Sequence, residues 1–553
     1  MSGATFRPSD PVDFLVIGAG AAGGVMAKEL STAGFRVVVL EQGPYLTEKA
    51  YTHDEIKFTY QPGLTNDPRV QPITYRKNET EAAKRVKAIE YGRQVGGGSV
   101  HFTANYWRFH ESDFEERSQF GDVPGAGLAD WPIKYADLEP YYTKAEYELG
   151  ISGLGGANPF EGPRSKPYPL PPMPVKSSGV LFDRATKKLG LHPFPAPMAI
   201  LSQPYQGRGA CVHCGFCESF GCEMRAKSST LVSVIPVAEK TGRCEIRPNS
   251  YVRKIESDAQ GRTTGAVYFD ANHREIFQRA KAVVLCANGA ETARLLLLSK
   301  SKRFPDGLAN SSGLVGKYLM WDNGGFASGS FEHPLNEYKS VQVTRVIHDY
   351  YRADPKRGFY GGGGIDARFD YYPASFALHG MPPDAPKWGA EYKKMLGTYF
   401  THTMGLLAHT SSLAQMRNSI SLDPDVKDSW GLPAIRVTFD YHPDDVATMQ
   451  WMLTKQVEIL EAAGAKKTWT TGISLPEMMP SRHLMGTCRM GDDPKQSVVD
   501  RHNRAHDVAN LWIVDGSSFV TSARQQPTAT IQALAYRAAD FAGRNVRDAD
   551  VKR

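Results

Sequence analysis

Four cysteines, Cys211, Cys214, Cys217 and Cys222, fall within twelve residues at the spacing C-x2-C-x2-C-x4-C. Thiols this close along a chain suit metal or cluster ligation in a reducing compartment, because a disulfide framework spreads its pairs across the fold. The spacing is close to the ferredoxin arrangement, with four residues before the last Cys and Glu223 where Pro is usual. A zinc site normally joins two C-x-x-C pairs across a finger-like loop, and no second pair follows. The pattern therefore favours an iron–sulfur cluster over zinc and over structural or redox thiols. Cys244, Cys286 and Cys488 are scattered.

A second group of residues suits a dinucleotide. Gly18, Gly20 and Gly23 form G-x-G-x-x-G directly after the apolar run Phe14–Ile17 and ahead of a helical alternation to Leu30. The first Gly permits the tight turn, the second admits a pyrophosphate to the backbone, and the third lets helix and strand pack closely. The strand Val37–Leu40 follows and ends at Glu41, 18 residues beyond Gly23. An acid at this place accepts hydrogen bonds from a ribose diol and repels a 2′-phosphate, so the ligand is FAD or NAD and not NADP. A second Gly cluster, Gly96-Gly97-Gly98-Ser99 with His101 close behind, suits an anion or a flat ring. Near the end, Asn510–Asp515 reads as a buried strand, Gly516 as its turn and Pro527–Phe541 as a helix.

The elements that must position these groups belong to a large soluble-type chain. Its 553 residues exceed one small core, with 41% hydrophobic and 22% charged residues. Net charge is +6 with no long basic block, which argues against nucleic acid as a partner. No window approaches the ~18 apolar residues of a membrane span. The opening stretch MSGATFRPSDPVDFLVIGAG has no apolar signal core, so no export signal is expected on this chain. Residues 151–205 are rich in Pro and Gly and are expected to form an extended connection between domains. The aromatic and Gly-rich region that follows, with the alternating stretch Pro433–Tyr441, is expected to form an antiparallel sheet domain.

The segments VIGAGAAGG…EQGP, CANGAETARLLLLS, HLMGTCRMG at His483–Gly491 and NLWIVDGSSF…PTATIQALA occur in this order in glucose–methanol–choline (GMC) oxidoreductases, which the sequence resembles over nearly its whole length. The resemblance implies an α/β fold in which a Rossmann-like FAD-binding domain is interleaved with an antiparallel-sheet substrate domain. The implied FAD domain comprises residues 1–150, 206–325 and 475–553 with a Cys-rich iron–sulfur insert at 207–230, and the substrate domain residues 326–474. The insert ACVHCGFCESFGCEMRAKSS is similar to that of the large flavoprotein subunit of bacterial sugar dehydrogenases, the group of gluconate 2-dehydrogenase, FAD-dependent glucose dehydrogenase and glucoside 3-dehydrogenase.

The same resemblance implies roles for individual residues. Gly18, Gly20, Gly23 and Glu41 would hold the ADP part of FAD, and Val252 would meet the adenine through its backbone. Gly96, Gly97, Gly98 and Ser99 would lie beside the flavin. Asp515 and Gly516 would lie near the pyrophosphate and ring, with Pro527 and Thr528 opening the last helix. His483 occupies the place of the family's base; an imidazole titrating near ~6.5 suits removal of a hydroxyl proton as hydride leaves. Many relatives carry a second His or an Asn where this chain has Gln526, an amide that orients but cannot act as a base, with Gln525 as the alternative position. GGGSVHFT is similar to the GGMSTHWT of pyranose oxidases, whose His is bonded to the flavin, which makes His101 a candidate for covalent attachment. Analogy with the glucose dehydrogenase subunit implies a three-iron rather than a four-iron cluster on Cys211, Cys217 and Cys222, with Cys214 as a spare or fourth ligand.

A two-electron flavin beside a one-electron cluster suits a dehydrogenase, since the cluster passes electrons singly to a distant acceptor. The expected function is oxidation of a hydroxyl of a sugar, glycoside or sugar acid, with electrons leaving for a cytochrome c or quinone. The alternatives are a flavin oxidase that uses dioxygen, separable by iron analysis and peroxide release, and a non-catalytic electron-transfer subunit. Relatives of this type work with a small signal-bearing subunit and a cytochrome c. The expected location is cytoplasmic, or periplasmic and associated with the inner membrane by co-export with a partner.

Overall fold

The computed structural model describes residues 5–321, 324–473 and 480–551. Strands Val12–Ile17 (VDFLVI) and Val37–Leu40 (VVVL) are apolar at almost every position and buried along their lengths, as strands covered by helices on both faces must be. They pair in parallel. The parallel sheet continues to Cys244–Arg247 beyond Val37–Leu40, and to Glu275–Leu285 and then Leu511–Ile513 beyond Val12–Ile17. The first half of Glu275–Leu285 also pairs with Thr263–Phe269, which pairs with Tyr251–Ser257, both antiparallel.

Strand order reverses beside Val12–Ile17, since its successor lies on one side and Glu275–Leu285 on the other. The carboxyl ends Ile17 and Leu285 therefore open the crevice in which doubly wound sheets bind ligands. Helix Ala21–Thr32 starts from the first Gly turn and packs against the C-terminal helix Thr528–Val551. That last helix runs ten residues past the expected Phe541, since it carries Gly543 in its interior and no Pro follows to end it.

A second, six-stranded sheet is antiparallel throughout, in the order Lys467–Ile473, Gly325–Ser330, Thr403–Thr410, Gly363–Arg368, Val343–Ile347 and Phe194–Pro195. One face packs Ile365, Ala367, Leu406 and Ala408 against Phe182 of helix Ser177–Lys188 and Met452 and Leu460 of helix Pro443–Ala462. Because side chains alternate along a strand, Asp366, Arg368, Leu407 and His409 point to the opposite face, toward the crevice.

Two expectations are corrected. Residues 151–205 are extended only through the Pro-rich run to Val175; SSGVLFDRATKK then forms a helix, and Phe194–Pro195 adds an edge strand to the antiparallel sheet. Pro density marked the first half of this segment and hid the helix behind it. Pro433–Thr438 is a strand, but it leaves the substrate sheet to pair antiparallel with Ser419–Lys427 and parallel with Ile73–Arg76 in a separate four-stranded sheet. Alternation identifies a strand without naming its neighbour. The expected boundary at 474–475 lies outside the described residues. Among the described residues no helix is long and apolar enough to cross a membrane.

Candidate active site

A cavity of about 980 Å³ occupies the crevice between the parallel sheet and the polar face of the antiparallel sheet. Its size is at the top of the ~300–1,000 Å³ range of small-molecule sites, as a dinucleotide with room for a substrate requires. The Gly turns build one wall. A Cβ on Gly18 (φ +97°) would stand 2.4 Å from the Cys286 carbonyl oxygen, and one on Gly97 (φ +56°) 2.7 Å from Gly20 Cα. The two Gly loops thus press directly on each other, and Gly18, Gly20, Gly97, Gly98 and Ser99 all face the cavity. Gly23 and Gly96 do not face it. Gly23 packs helix onto strand, where a Cβ would lie 1.8 Å from the Gly18 oxygen, and Gly96 turns behind the wall against Val100 and Leu231.

Glu41 reaches the same cavity, its Oε2 accepting the Ala19 N–H and its Oε1 the Gly43 N–H, each at 2.9 Å. Burial outweighs these bonds and the nearby Arg93 and pushes its carboxyl up to about 7. Val252 lines the cavity from strand Tyr251–Ser257. Asp515 knots the turns after two parallel strands: Oδ2 accepts from the Asn288 N–H (3.1 Å) and the Thr292 hydroxyl (2.6 Å), and Oδ1 from the Ser517 N–H (2.8 Å). Gly516, Pro527 and Thr528 lie beside it on the cavity surface.

The other end of the cavity holds His483. Its carrier strand is clamped by Met485 on Met320, and by the Gly486 and Cys488 N–H groups on the Gly516 and Ser517 carbonyls at 3.1 and 2.8 Å. The Leu484 carbonyl sits where a Cβ on Gly289 or Gly516 would be, 2.3 and 2.6 Å away, so both glycines are needed to seat this segment. Gln526 faces the cavity, whereas Gln525 is fully buried and donates to the Arg108 carbonyl, which settles the register of that turn. His101 also lines the cavity, its Nε2 buried with no hydrogen-bond partner; burial lowers its pKa to about 3, so the ring is neutral.

Sequence reading missed several groups at this end. His409, from the antiparallel sheet, places Nε2 2.7 Å from the Gln526 amide nitrogen and 3.0 Å from Asp366 Oδ2. Arg368 donates to both Asp366 oxygens, at 2.6 and 2.5 Å. Burial would raise Asp366, but Arg368 and His409 outweigh it and hold the carboxyl below its ordinary value. Arg482, next to His483, bridges Glu90 (2.8 Å) and Glu218 (2.6 Å). The available signal was the run Ile365-Asp366-Ala367-Arg368, a period-2 alternation whose polar members are charged although the strand is buried.

The cysteine segment forms part of the cavity wall. Glu218 and Ser219, between Cys217 and Cys222, line it, and the Ser219 N–H donates to the His101 carbonyl at 2.7 Å. Buried Lys227 ties the segment down by donating to the carbonyls of Cys217, Phe220 and Phe102. Cys217 is buried and Cys214 exposed, and no cysteine is in a disulfide. Burial, then neighbouring thiols, pushes Cys211 up to about 11; burial pushes Cys217 up to about 12, with Lys227 opposing and the other three cysteines adding to it. Among the described residues no three His, Cys, Asp or Glu side chains converge as ligands of a single metal ion.

The sequence profile of the GMC oxidoreductase family matches residues 12–320 with its N-terminal part and 414–535 with its C-terminal part. The chain belongs to the GMC oxidoreductase family. It is 35% identical to 2-methyl-1,2-propanediol dehydrogenase from Mycolicibacterium austroafricanum (98% of this chain, 96% of that protein). It is 29% identical to the gluconate 2-dehydrogenase flavoprotein of Pantoea cypripedii (95% and 92%). The fructose dehydrogenase large subunit of Gluconobacter japonicus is 30% identical (96% and 97%). In fold it matches pyridoxine 4-oxidase from Mesorbium loti, with a TM-score of 0.64 at 18% identity, covering 96% of this chain and 98% of that one.

This GMC oxidoreductase is thus an FAD-dependent enzyme acting on CH–OH groups. The residues present fit FAD, because Gly20 and Gly98 line the cavity where an added Cβ would meet nothing closer than 3.8 Å, so their bare backbone leaves a cradle that a side chain would fill. Gly97→Val, which drives a branched side chain into Gly20 at a left-handed φ, is expected to yield protein without bound FAD. The absorbance ratio of flavin to protein after purification checks this.

Proposed function

We propose that this GMC oxidoreductase is a dehydrogenase that oxidises a hydroxyl of a sugar, glycoside or sugar acid and sends its electrons through an iron–sulfur cluster to a separate protein, a cytochrome c, or to a quinone. The observation that carries this reading is the joint between the cysteine segment and the cavity: Glu218 and Ser219 face the cavity and Cys217 adjoins them. Cys211, Cys214, Cys217 and Cys222 would hold the cluster, which when bound would exchange single electrons. The segment also reaches the surface at Cys214, beside exposed Val212 and Met224, where an acceptor protein has access. The two relatives whose printed names describe a flavoprotein or a large subunit support partner subunits, in the proposal a small signal-bearing chain and a cytochrome c.

When bound, FAD supplies the hydride acceptor. His483 takes the substrate's hydroxyl proton as its C–H hydride leaves, so the alcohol becomes a carbonyl. Gln526 orients the hydroxyl, and Arg482, anchored by Glu90 and Glu218, fixes the backbone from which His483 projects. The reading is tested by giving the aerobic holoprotein sugars and glycosides together with ferricyanide, a one-electron acceptor. Rapid ferricyanide reduction with little peroxide supports it; stoichiometric peroxide from iron-free protein favours the oxidase alternative.

Glu41 gives a pH test of the nucleotide end. Burial pushes the Glu41 carboxyl up to about 7, and a ribose diol donates more strongly to the ionised form. FAD binding therefore releases the proton, and affinity is lost as pH falls through that value. Fluorescence titration of apoprotein is expected to show the FAD Kd rising by up to about tenfold per pH unit below 7. Glu41→Gln is expected to bind more weakly at pH 8 and to lose this slope.

A further inference from the structure

We propose that His409 is a positioning residue that fixes the amide of Gln526 for a substrate hydroxyl. The hydroxyl-binding end of the cavity is then assembled from the antiparallel sheet as well as the C-terminal turn. This rests on the reading of the cavity as a site of alcohol oxidation. His409, 4% exposed, faces the cavity from strand Thr403–Thr410, with Asp366 and Arg368 beside it on the paired strand Gly363–Arg368. Asp366 is taken up by the two-pronged guanidinium of Arg368. His409 Nε2 then has three neighbours, Arg368 Nη2 and Asp366 Oδ2 each at 3.0 Å and Gln526 Nε2 at 2.7 Å, and the Gln526 amide nitrogen also lies 3.3 Å from His409 Nδ1.

The imidazole thus stands between the Asp366–Arg368 pair and the Gln526 amide, and the buried pair fixes where the ring, and with it the amide, lies. The ring is further held by the edge of Trp107, at 5.8 Å between centroids and 90° between planes. With its amide nitrogen held against His409, Gln526 keeps a proton and Oε1 for a ligand. Gln526 is 6% exposed and Oε1 has no partner within the protein, although buried polar atoms are nearly always paired. A polyol bringing a donor and an acceptor on adjacent carbons satisfies both.

The proposal predicts that His409 affects substrate binding through Gln526. The test uses FAD-loaded wild type, His409→Leu, Gln526→Leu, the double variant and His409→Gln, whose amide restores an acceptor. The probe is pinacol, a vicinal diol whose carbinol carbons carry no hydrogen, so that hydride cannot leave and the flavin's spectral perturbation reads recognition alone. His409→Leu is expected to weaken pinacol binding about tenfold, and to change it less than about twofold once Gln526 is Leu. His409→Gln is expected to recover most of the loss. Additive losses, or unchanged binding in His409→Leu, would overturn the proposal, as would a wild type that does not bind pinacol. If His409→Leu does not fold with FAD, equal binding in wild type and Gln526→Leu overturns it. Failure of every alcohol to bleach the wild-type flavin, with the coupling intact, would instead sink the oxidation reading alone.

Discussion

His483→Ala is expected to slow anaerobic bleaching of the flavin by a sugar substrate by about 10²- to 10⁴-fold, the usual worth of a positioned proton acceptor, while FAD stays bound. The structure makes the separation clean. His483, Gly18, Gly20 and Glu41 all line the cavity, and the proposal gives His483 the substrate and the other three the nucleotide. The segment carrying it is held by backbone bonds of Gly486 and Cys488 and by the seating of the Leu484 carbonyl, none of which uses the imidazole. Stopped-flow absorbance of the variant against wild type, with flavin content measured on the same samples, checks both halves. Wild-type bleaching rates in the variant would assign the base elsewhere.

Cys217→Ser is expected to separate the two half-reactions. Ser is nearly isosteric with the buried thiol but is a poor ligand for iron, so bound iron and the rate of reduction of a cytochrome or ferricyanide should each fall on the order of 10-fold or more. Bleaching by substrate in the absence of acceptor should persist, since the His483 end is untouched. Cys214→Ser, at the exposed position, is expected to retain a cluster if the three buried or half-buried thiols suffice. Iron analysis and stopped-flow measurement on the same preparations report both. Unchanged iron in Cys217→Ser would remove that residue as a ligand.

What the sequence made legible follows from how local each signal is. Gly18, Gly20 and Glu41 were readable because a tight turn, a close backbone approach and a strand-end acid are short-range demands, and the strands Val12–Ile17 and Val37–Leu40 stand almost where the apolar runs place them. Gly23 packs helix onto strand, as the third Gly of its motif does, whereas Gly96 turns behind the wall instead of facing the cavity, a distinction that depends on which side of a loop faces the ligand. The antiparallel sheet was expected, but not that Phe194–Pro195 joins it or that Pro433–Thr438 leaves it, because strand pairing is set by distant chain. Asp366 and Arg368 left a trace in the charged alternation of their strand, but their tie to His409 was unreadable for the same reason. Their meaning arises only when Gln526, more than a hundred residues on in the chain, is brought against them. Conversely, Gln526 read as a loss against the family pattern, and the fold gives it an imidazole partner that the motif does not contain.

The central claim is that electrons taken from an alcohol at the flavin leave one at a time through the cysteine-bound cluster. Freeze-quench paramagnetic resonance of the anaerobic holoprotein, mixed with a panel of sugars and glycosides and followed beside the flavin absorbance, tests this most directly. The account predicts that flavin bleaching is accompanied, in the same samples, by a change in an iron–sulfur signal amounting to about one spin per chain. Bleaching with no iron–sulfur signal before or after mixing would contradict it.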